Sequence, residues 1–516
     1  MIQLSVPIGL TKSQIAEYEQ CPKRLWLSAH RPEASELDAG ASARFRTGQE
    51  VGKIARAQLP TGILVDLRND DRAEAVRVTS ALIESSLGQP IFEAALEYDG
   101  VFVRIDILEP DGEAGWRLAE VKSSTKVKSH YVGDLATQVW VAQNAGMKIA
   151  GAAIRHINGG FVLEREAEWT GLFTDTDLAS EIYPATSDRA SVIASARLAL
   201  DSDKPDVATG SHCDQPVMCP FVSHCHAAQP AGPEWPVTVL PNGGGKRWLA
   251  RGIDDLFTID PSDLTSQTHK RVYHATVDDI VYHDVEGARR AISCWAYPRT
   301  WLDFETITFA IPRWIGTRPY QQVPFQFSAH VETVDGALGH HEFLSLDGSD
   351  PRRACAEALL VAVPPTGAVI AYFASFEKSR ILELAAAFPD LAAPLHDIAE
   401  RIVDLLPVAR NNWYHRDQRG SWSIKAVLPT VASDLDYGRL EVKDGGMAQE
   451  AYAEAIHPSC SANRRMALAI ARSRGWSGSP SQVNASARRA VGARSRWSAR
   501  FAKAATISSM SMRCAS

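Results

Sequence analysis

A carboxylate two residues before a lysine, with a second acid on the preceding strand, can hold a divalent cation and handle phosphate. The chain carries this set as Glu120 and Lys122 in Ala119-Glu-Val-Lys122, with Asp106 ahead of them in Val103-Arg-Ile-Asp106. Side chains two apart on a strand share a face, so Glu120 and Lys122 project together and Asp106 can converge on them from the adjoining strand. Divalent-metal hydrolysis of a phosphodiester needs these groups: carboxylates suit hard ions such as Mg2+ or Mn2+, the ion activates water, and a cation orients that water or stabilises charge. On an exposed strand the same pattern would be an ordinary surface ion pair.

A second constellation is built of sulfur. Cys213-Asp-Gln-Pro-Val-Met-Cys219-Pro-Phe-Val-Ser-His-Cys225 clusters three thiols, and Glu19-Gln-Cys21-Pro-Lys-Arg-Leu-Trp26 supplies a fourth from far upstream. Four thiolates bind [4Fe–4S] or Zn2+, and spacing alone does not choose between them. His212, His224 and His226 lie nearby and keep zinc open. Cys294, Cys355, Cys460 and Cys514 are scattered and read as packing residues. A third constellation is acidic: Trp301-Leu-Asp-Phe-Glu-Thr306 puts Asp303 and Glu305 on one strand face, with Glu377 in Ala374-Ser-Phe-Glu377 and Asp404 further on.

These groups need elements to position them. Thr11-Lys-Ser-Gln14 has the capping-box pattern and opens a helix that carries Ile15 and Tyr18 and stops around Cys21-Pro22. Alternating Val101, Val103, Ile105 and Ile107 form a strand after the Asp99-Gly100 turn signal. Glu109-Pro-Asp-Gly112 turns the chain into a second strand, Trp116 to Lys122, followed by a helix ending near Gly146. Gln229-Pro-Ala-Gly-Pro233 and Asn242-Gly-Gly-Gly245 mark a boundary, a fresh strand begins at Trp301, and Ala368 to Phe373 reads as a later one.

With 516 residues, 45% hydrophobic and 22% charged, the chain has the length for two or three cored domains. Its net charge of -7 is unevenly spread. No Asp or Glu follows Glu454, while ten Arg and one Lys do, so the tail carries about +11 and the remainder about -18. The N-terminus lacks a basic leader with an apolar run, no segment nears the roughly 18 apolar residues of a membrane helix, and a cytoplasmic protein is expected. In that reducing compartment, clustered thiols more often bind metal than form disulfides. There is no internal repeat.

The series Phe92-Glu-Ala94, Asp106, Glu120-Val-Lys122 and Gln138 resembles the RecB-like PD-(D/E)xK nucleases, including the CRISPR-associated exonucleases of that superfamily. The resemblance implies that Asp106 and Glu120 hold Mg2+ or Mn2+, that Lys122 is the catalytic lysine, and that Gln138 supports the site from a helix. Members often carry an upstream metal-binding histidine. Here Gly48-Gln-Glu-Val-Gly52 has none, which leaves Glu50 as a candidate there and Glu93 as a supporting acid. One early and three late cysteines resemble the iron–sulfur subgroup, implying a [4Fe–4S] cluster on Cys21, Cys213, Cys219 and Cys225 that staples the two ends of the domain.

Asp303, Glu305, Glu377 and Asp404 resemble the acid set of DnaQ-like exonucleases of the RNase H fold, with Glu377 where those enzymes usually have Asp. Gly420-Ser-Trp-Ser-Ile-Lys-Ala-Val-Leu-Pro429 resembles a segment of an uncharacterised family that fuses such a domain to an iron–sulfur nuclease. The last acid motif should follow Glu454-Ala-Ile-His-Pro458 and does not, so weak or no catalysis is expected of this domain. The tail reads either as a basic nucleic-acid arm, with Trp476 and Trp497 for stacking, or as a frame-shifted end.

The resulting expectation is an α/β protein. A restriction-endonuclease-like domain over 1–230 is followed by a partly helical connector over 231–297, an incomplete RNase H-like domain over 298–457 and a basic tail over 458–516. The expected activity is metal-dependent hydrolysis of nucleic acid, DNA ahead of RNA, from single-stranded ends, and the alternative is a non-catalytic nucleic-acid-binding scaffold.

Overall fold

The structure is a computed structural model that describes residues 9–36, 40–67, 71–85, 88–432 and 445–457. The architecture is mixed α/β, and the chain divides into two compact units, residues 1–230 with 309–320, and residues 231–308 with 321–516. No helix among the described residues is long and apolar enough to cross a membrane. The tail and the position of the missing last acid lie outside the described residues.

The first unit is built on a seven-stranded sheet. Its strands are β1 (Leu10–Thr11), β2 (Ile63–Leu64), β3 (Ile91–Tyr98), β4 (Val101–Pro110), β5 (Trp116–Lys122), β6 (Ile149–Ile157) and β7 (Phe173–Asp177). They run in the order β2-β3-β4-β5-β6-β7, with β1 parallel to β4. Asp99 and Gly100 both take positive φ, 46° and 68°, as a two-residue I′ turn requires, and this turn closes the antiparallel β3–β4 hairpin. β5 pairs antiparallel with β4 but parallel with β6, so the chain needs a crossover between β5 and β6.

Helices α1 (Lys12–Gln20), α2 (Pro22–His30), α3 (Ala41–Ala57) and α4 (Arg72–Glu84) precede that crossover, which is α5 (His130–Asn144); α6 (Ala179–Thr186), α7 (Arg189–Asp201) and the short α8 (Val222–Ala227) follow it. The capping box forms as its sequence requires: the Thr11 hydroxyl accepts from the Gln14 amide and Gln14 answers the Thr11 amide. Cys21 ends α1, and Pro22, whose missing N–H costs nothing at a helix start, opens α2. The core sits between the sheet and α1, α2, α4 and α5, with Leu10, Ile15, Leu25, Ile105, Leu118, Leu135 and Val139 withdrawn from solvent. Each such side chain contributes roughly 1.5–3 kcal/mol on burial.

The second unit holds β8 (Tyr282–His283), β9 (Arg299–Ile307), β10 (Val323–Glu332), β11 (Leu338–Leu344), β12 (Val369–Ala371), β13 (Ile402–Asp404) and β14 (Trp413–Tyr414). Five of them form a sheet in the order β11-β10-β9-β12-β13, antiparallel across β11, β10 and β9 and parallel from β9 to β13. Its helices are α9 (Lys246–Leu249), α10 (Gln267–Val277), α11 (Val285–Ile292), α12 (Arg352–Ala362), α13 (Ser375–Ala387), α14 (Ala392–Glu400), α15 (Leu405–Asn412), α16 (Ile424–Val431) and α17 (Gly445–Ala455). Cys355 packs with Leu302, Phe304 and Phe327 in the main core, as a packing cysteine should.

Two boundaries differ from the sequence-based division. Residues 231–297 are part of the second unit: Trp235, Val237 and Trp248 share one core with Tyr414, Trp422 and Val427, so the supposed connector is held by side chains far along the chain. Residues 309–320, between β9 and β10, belong to the first unit. There Ala310 and Ile311 pack against Val51, Ile157, Phe161 and Leu163, and Gly316 and Thr317 exchange backbone hydrogen bonds with Leu163.

Candidate active site

The sheet of the first unit carries its acids on adjacent strands. Phe92 faces Ile107 and Ala94 faces Ile105, and these pairs bracket Glu93 and Asp106, which are not themselves a ladder pair. The β4–β5 ladder ends with Ile107 facing Ala119, next to Asp106 and Glu120. Glu93, Asp106 and Glu120, on three adjacent strands, nevertheless feel one another's charge and form one acid row. At this row the regular ladder gives way: Asp106 Oδ2 accepts the Val121 N–H at 2.7 Å. Glu93 takes φ of 54°, in the left-handed region that costs a non-glycine residue about 1–2 kcal/mol. Its carboxylate meets Arg56 of α3 at 3.2 Å.

Glu120 is only 3% exposed, so it is no surface ion pair. Its Oε1 accepts from Lys122 Nζ at 2.9 Å and from Lys12 Nζ at 2.7 Å, and its Oε2 from Gln138 Nε2 at 2.8 Å. Lys122 also reaches Asp134 Oδ2 of α5, at 3.2 Å. Asp106, Glu120, Lys122 and Gln138 are thus brought together, and Lys12 and Asp134 join them without having been foreseen. Lys12 sits inside the capping box, whose spacing already has a local explanation, while Asp134 lies one helical turn before Gln138 on the same helix face. Glu50 is exposed on α3.

Charge sorts these acids. Burial, then the neighbouring Glu120, pushes Asp106 up to about 7, with Lys12 pulling the other way. Burial would also raise Glu120, but Lys12 and Lys122 outweigh it and hold that carboxyl at about 2. Lys122 works against its own desolvation and stays protonated beyond the ordinary lysine range because of Glu120 and Asp134. Glu93 is raised by burial despite Arg56.

Among the described residues, no group of three or more His, Cys, Asp or Glu is arranged to hold a metal ion as it stands. Asp106 and Glu120 are a pair, and Mg2+ commonly binds through one or two carboxylates while keeping several waters. Gln138 Oε1, fully buried and without a hydrogen-bond partner, is an acceptor that such a water could satisfy. The donor set therefore fits a hydrated hard cation.

Cys21, Cys213, Cys219 and Cys225 line a single cavity with Leu27, Phe221 and His212, and all four are free thiols. Gln20 anchors this end of α1, donating to the carbonyls of His212 and Val217 at 2.7 Å each, and the Cys219 N–H donates to the Cys213 carbonyl, also at 2.7 Å. Burial foremost, with the other thiols adding, raises Cys219 and Cys225 above ordinary values. Four thiols on one cavity suit a thiophilic metal in number and kind, although they are not drawn into a ligand shell.

In the second unit, Asp303 and Glu305 lie on one face of β9, opposite Ser328 and Gln326 of β10. Burial pushes Glu377 of α13 up to about 8, and the charges of Asp303 and Asp404 add to that, which brings these three acids into one field. Glu377 Oε2 is buried without a hydrogen-bond partner. Asp404 Oδ1 accepts from the amides of Leu406, capping α15, and of Phe373, which is itself held at φ 67°.

A family described as "Domain of unknown function (DUF2779)" matches residues 300–423. That span holds Asp303, Glu305, Glu377 and Asp404 and none of the first unit's acids or clustered thiols. No curated protein matches the chain.

Proposed function

We propose that the first unit is a metal-dependent nuclease with a restriction-endonuclease-like core, hydrolysing phosphodiester bonds of DNA from single-stranded ends. The observation that carries this reading is the meeting of Glu93, Asp106 and Glu120, with Glu120 buried and paired to Lys122. Asp106 and Glu120 would hold the cation. Bound there, Mg2+ or Mn2+ would supply the Lewis acidity that activates water and polarises a phosphoryl oxygen. Gln138 fixes the Glu120 carboxylate through Oε2, which leaves its plane set before any ligand arrives. Lys122, kept protonated by Glu120 and Asp134, offers an ammonium that can stabilise a phosphate in the process of reaction.

The four-thiol cavity is read as the place of a [4Fe–4S] cluster, with zinc as its rival; metal analysis and visible absorption of anaerobically purified protein separate the two. The second unit is read as RNase H-like, its acids part of a site that the described residues leave incomplete. A scaffold that binds nucleic acid without cutting it draws support from the lack of a ready three-ligand metal group among the described residues. The deciding experiment is cleavage of end-labelled single-stranded DNA with Mg2+ or Mn2+, comparing wild type with Glu120→Ala. Cleavage by wild type alone is expected. Binding without cleavage by both proteins would hand the reading to the scaffold.

A further inference from the structure

Glu120 has more cations on it than its role as a metal ligand calls for. Lys122 and Gln138 already orient both oxygens, yet Lys12 arrives from the first residue of α1 and makes the shortest of the three contacts, 2.7 Å to Oε1. Its side chain is mostly covered, and its charged neighbours are Glu120, Asp106, Lys122 and Asp134. The Lys12 ammonium thus stands by the two carboxylates of the proposed ion site, and like charges at this range repel strongly in a partly dehydrated setting.

We propose that Lys12 is a built-in counter-ion of the acid row, which neutralises Glu120 when no divalent cation is present and must yield Oε1 when one binds. The inference rests on the metal reading above and adds to it a residue that weakens metal binding. Lys122 is tied down by Asp134 as well as Glu120, whereas among the described residues Lys12 hydrogen-bonds to Glu120 alone. Lys12 is therefore the ammonium that can swing away without stranding a second partner. Loss of its charge leaves Glu120 still paired with Lys122 and Gln138, so the fold keeps its buried ion pair.

The test is Mn2+ binding to the full-length protein, followed by electron paramagnetic resonance and calorimetry, in wild type, Lys12→Met, Lys12→Gln and Glu120→Gln. Lys12→Met is expected to bind Mn2+ about tenfold tighter or more, given the size of a unit-charge repulsion at this range. Lys12→Gln, which keeps a hydrogen-bond donor and loses the charge, should tighten binding as well and stands in if the Met variant folds poorly. Mn2+ binding that disappears in Glu120→Gln but is unchanged or weaker in both Lys12 variants would overturn this proposal and leave the metal reading intact. If no variant shows Mn2+ binding that depends on Glu120, both readings fall together.

Discussion

Glu120 in the first unit and Glu377 in the second are almost equally withdrawn from solvent, at 3% and 4% exposure, yet their carboxyls move in opposite directions. Lys12 and Lys122 lie within hydrogen-bonding distance of Glu120 and hold it at about 2. Glu377 meets burial and the charges of Asp303 and Asp404, and is pushed up to about 8. The nearby Arg380, bonded to Glu383 and Gln322, pulls the other way more weakly than any of these. Burial of an acid does not by itself make an anionic site. The cations supplied beside it decide whether a charge or a proton is stored there.

The comparison is broken most decisively by activity. On the proposed function, Glu120→Ala should remove several kcal/mol of transition-state stabilisation, about a thousandfold in rate, while Asp303→Ala keeps cleavage close to wild type. Robust exonuclease activity that survives Glu120→Ala and is lost in Asp303→Ala would place the chemistry in the second unit.

The next effect is one of pH. The folded-state value of Glu377 lies above its ordinary value near 4.5, so the folded chain holds an extra proton between about pH 4.5 and 8. Stability of the second unit should fall as pH rises through that window, by up to about 5 kcal/mol at about 1.4 per pKa unit. Glu377→Gln should flatten this slope, as read by urea denaturation at pH 5 and pH 8; an equally steep slope in the variant would remove Glu377 as its source.

The smallest change concerns a neutral partner. Gln138→Leu leaves Glu120 Oε2 buried without its donor and should cost the first unit about 1–3 kcal/mol in the same denaturation measurement. An unchanged midpoint would mean that the two lysines alone hold the carboxylate.

The convergence of Asp106, Glu120 and Lys122 was legible in the sequence from strand periodicity, whereas Gln138, on a helix, entered only through the family resemblance. Lys12 was not, since its contact spans 108 positions and its own neighbourhood is explained by helix capping. The left-handed Glu93 was also hidden, because nothing in Phe92-Glu-Ala94 announces a positive φ at a non-glycine residue. The same limit explains the two displaced boundaries. Trp235 and Trp248 find their partners at Tyr414 and Trp422, and the 309–320 segment finds its own at Val51 and Leu163, so no local composition marks where either belongs.

Helix α1 is a strut with a different chemistry at each end. It is nine residues long, about 13 Å at 1.5 Å per residue, with Lys12 on the acid row and Cys21 on the thiol cavity. Gln20 clamps the sulfur end to two carbonyls of the cysteine loop. A hydrogen-bonded rod this short transmits an axial shift rather than absorbing it. A shift of the cysteine loop would therefore be felt as a change in tension on the ammonium at Glu120, which ties the packing around Cys213 and Cys219 to the hydrogen bonding of a carboxylate at the other end of the helix.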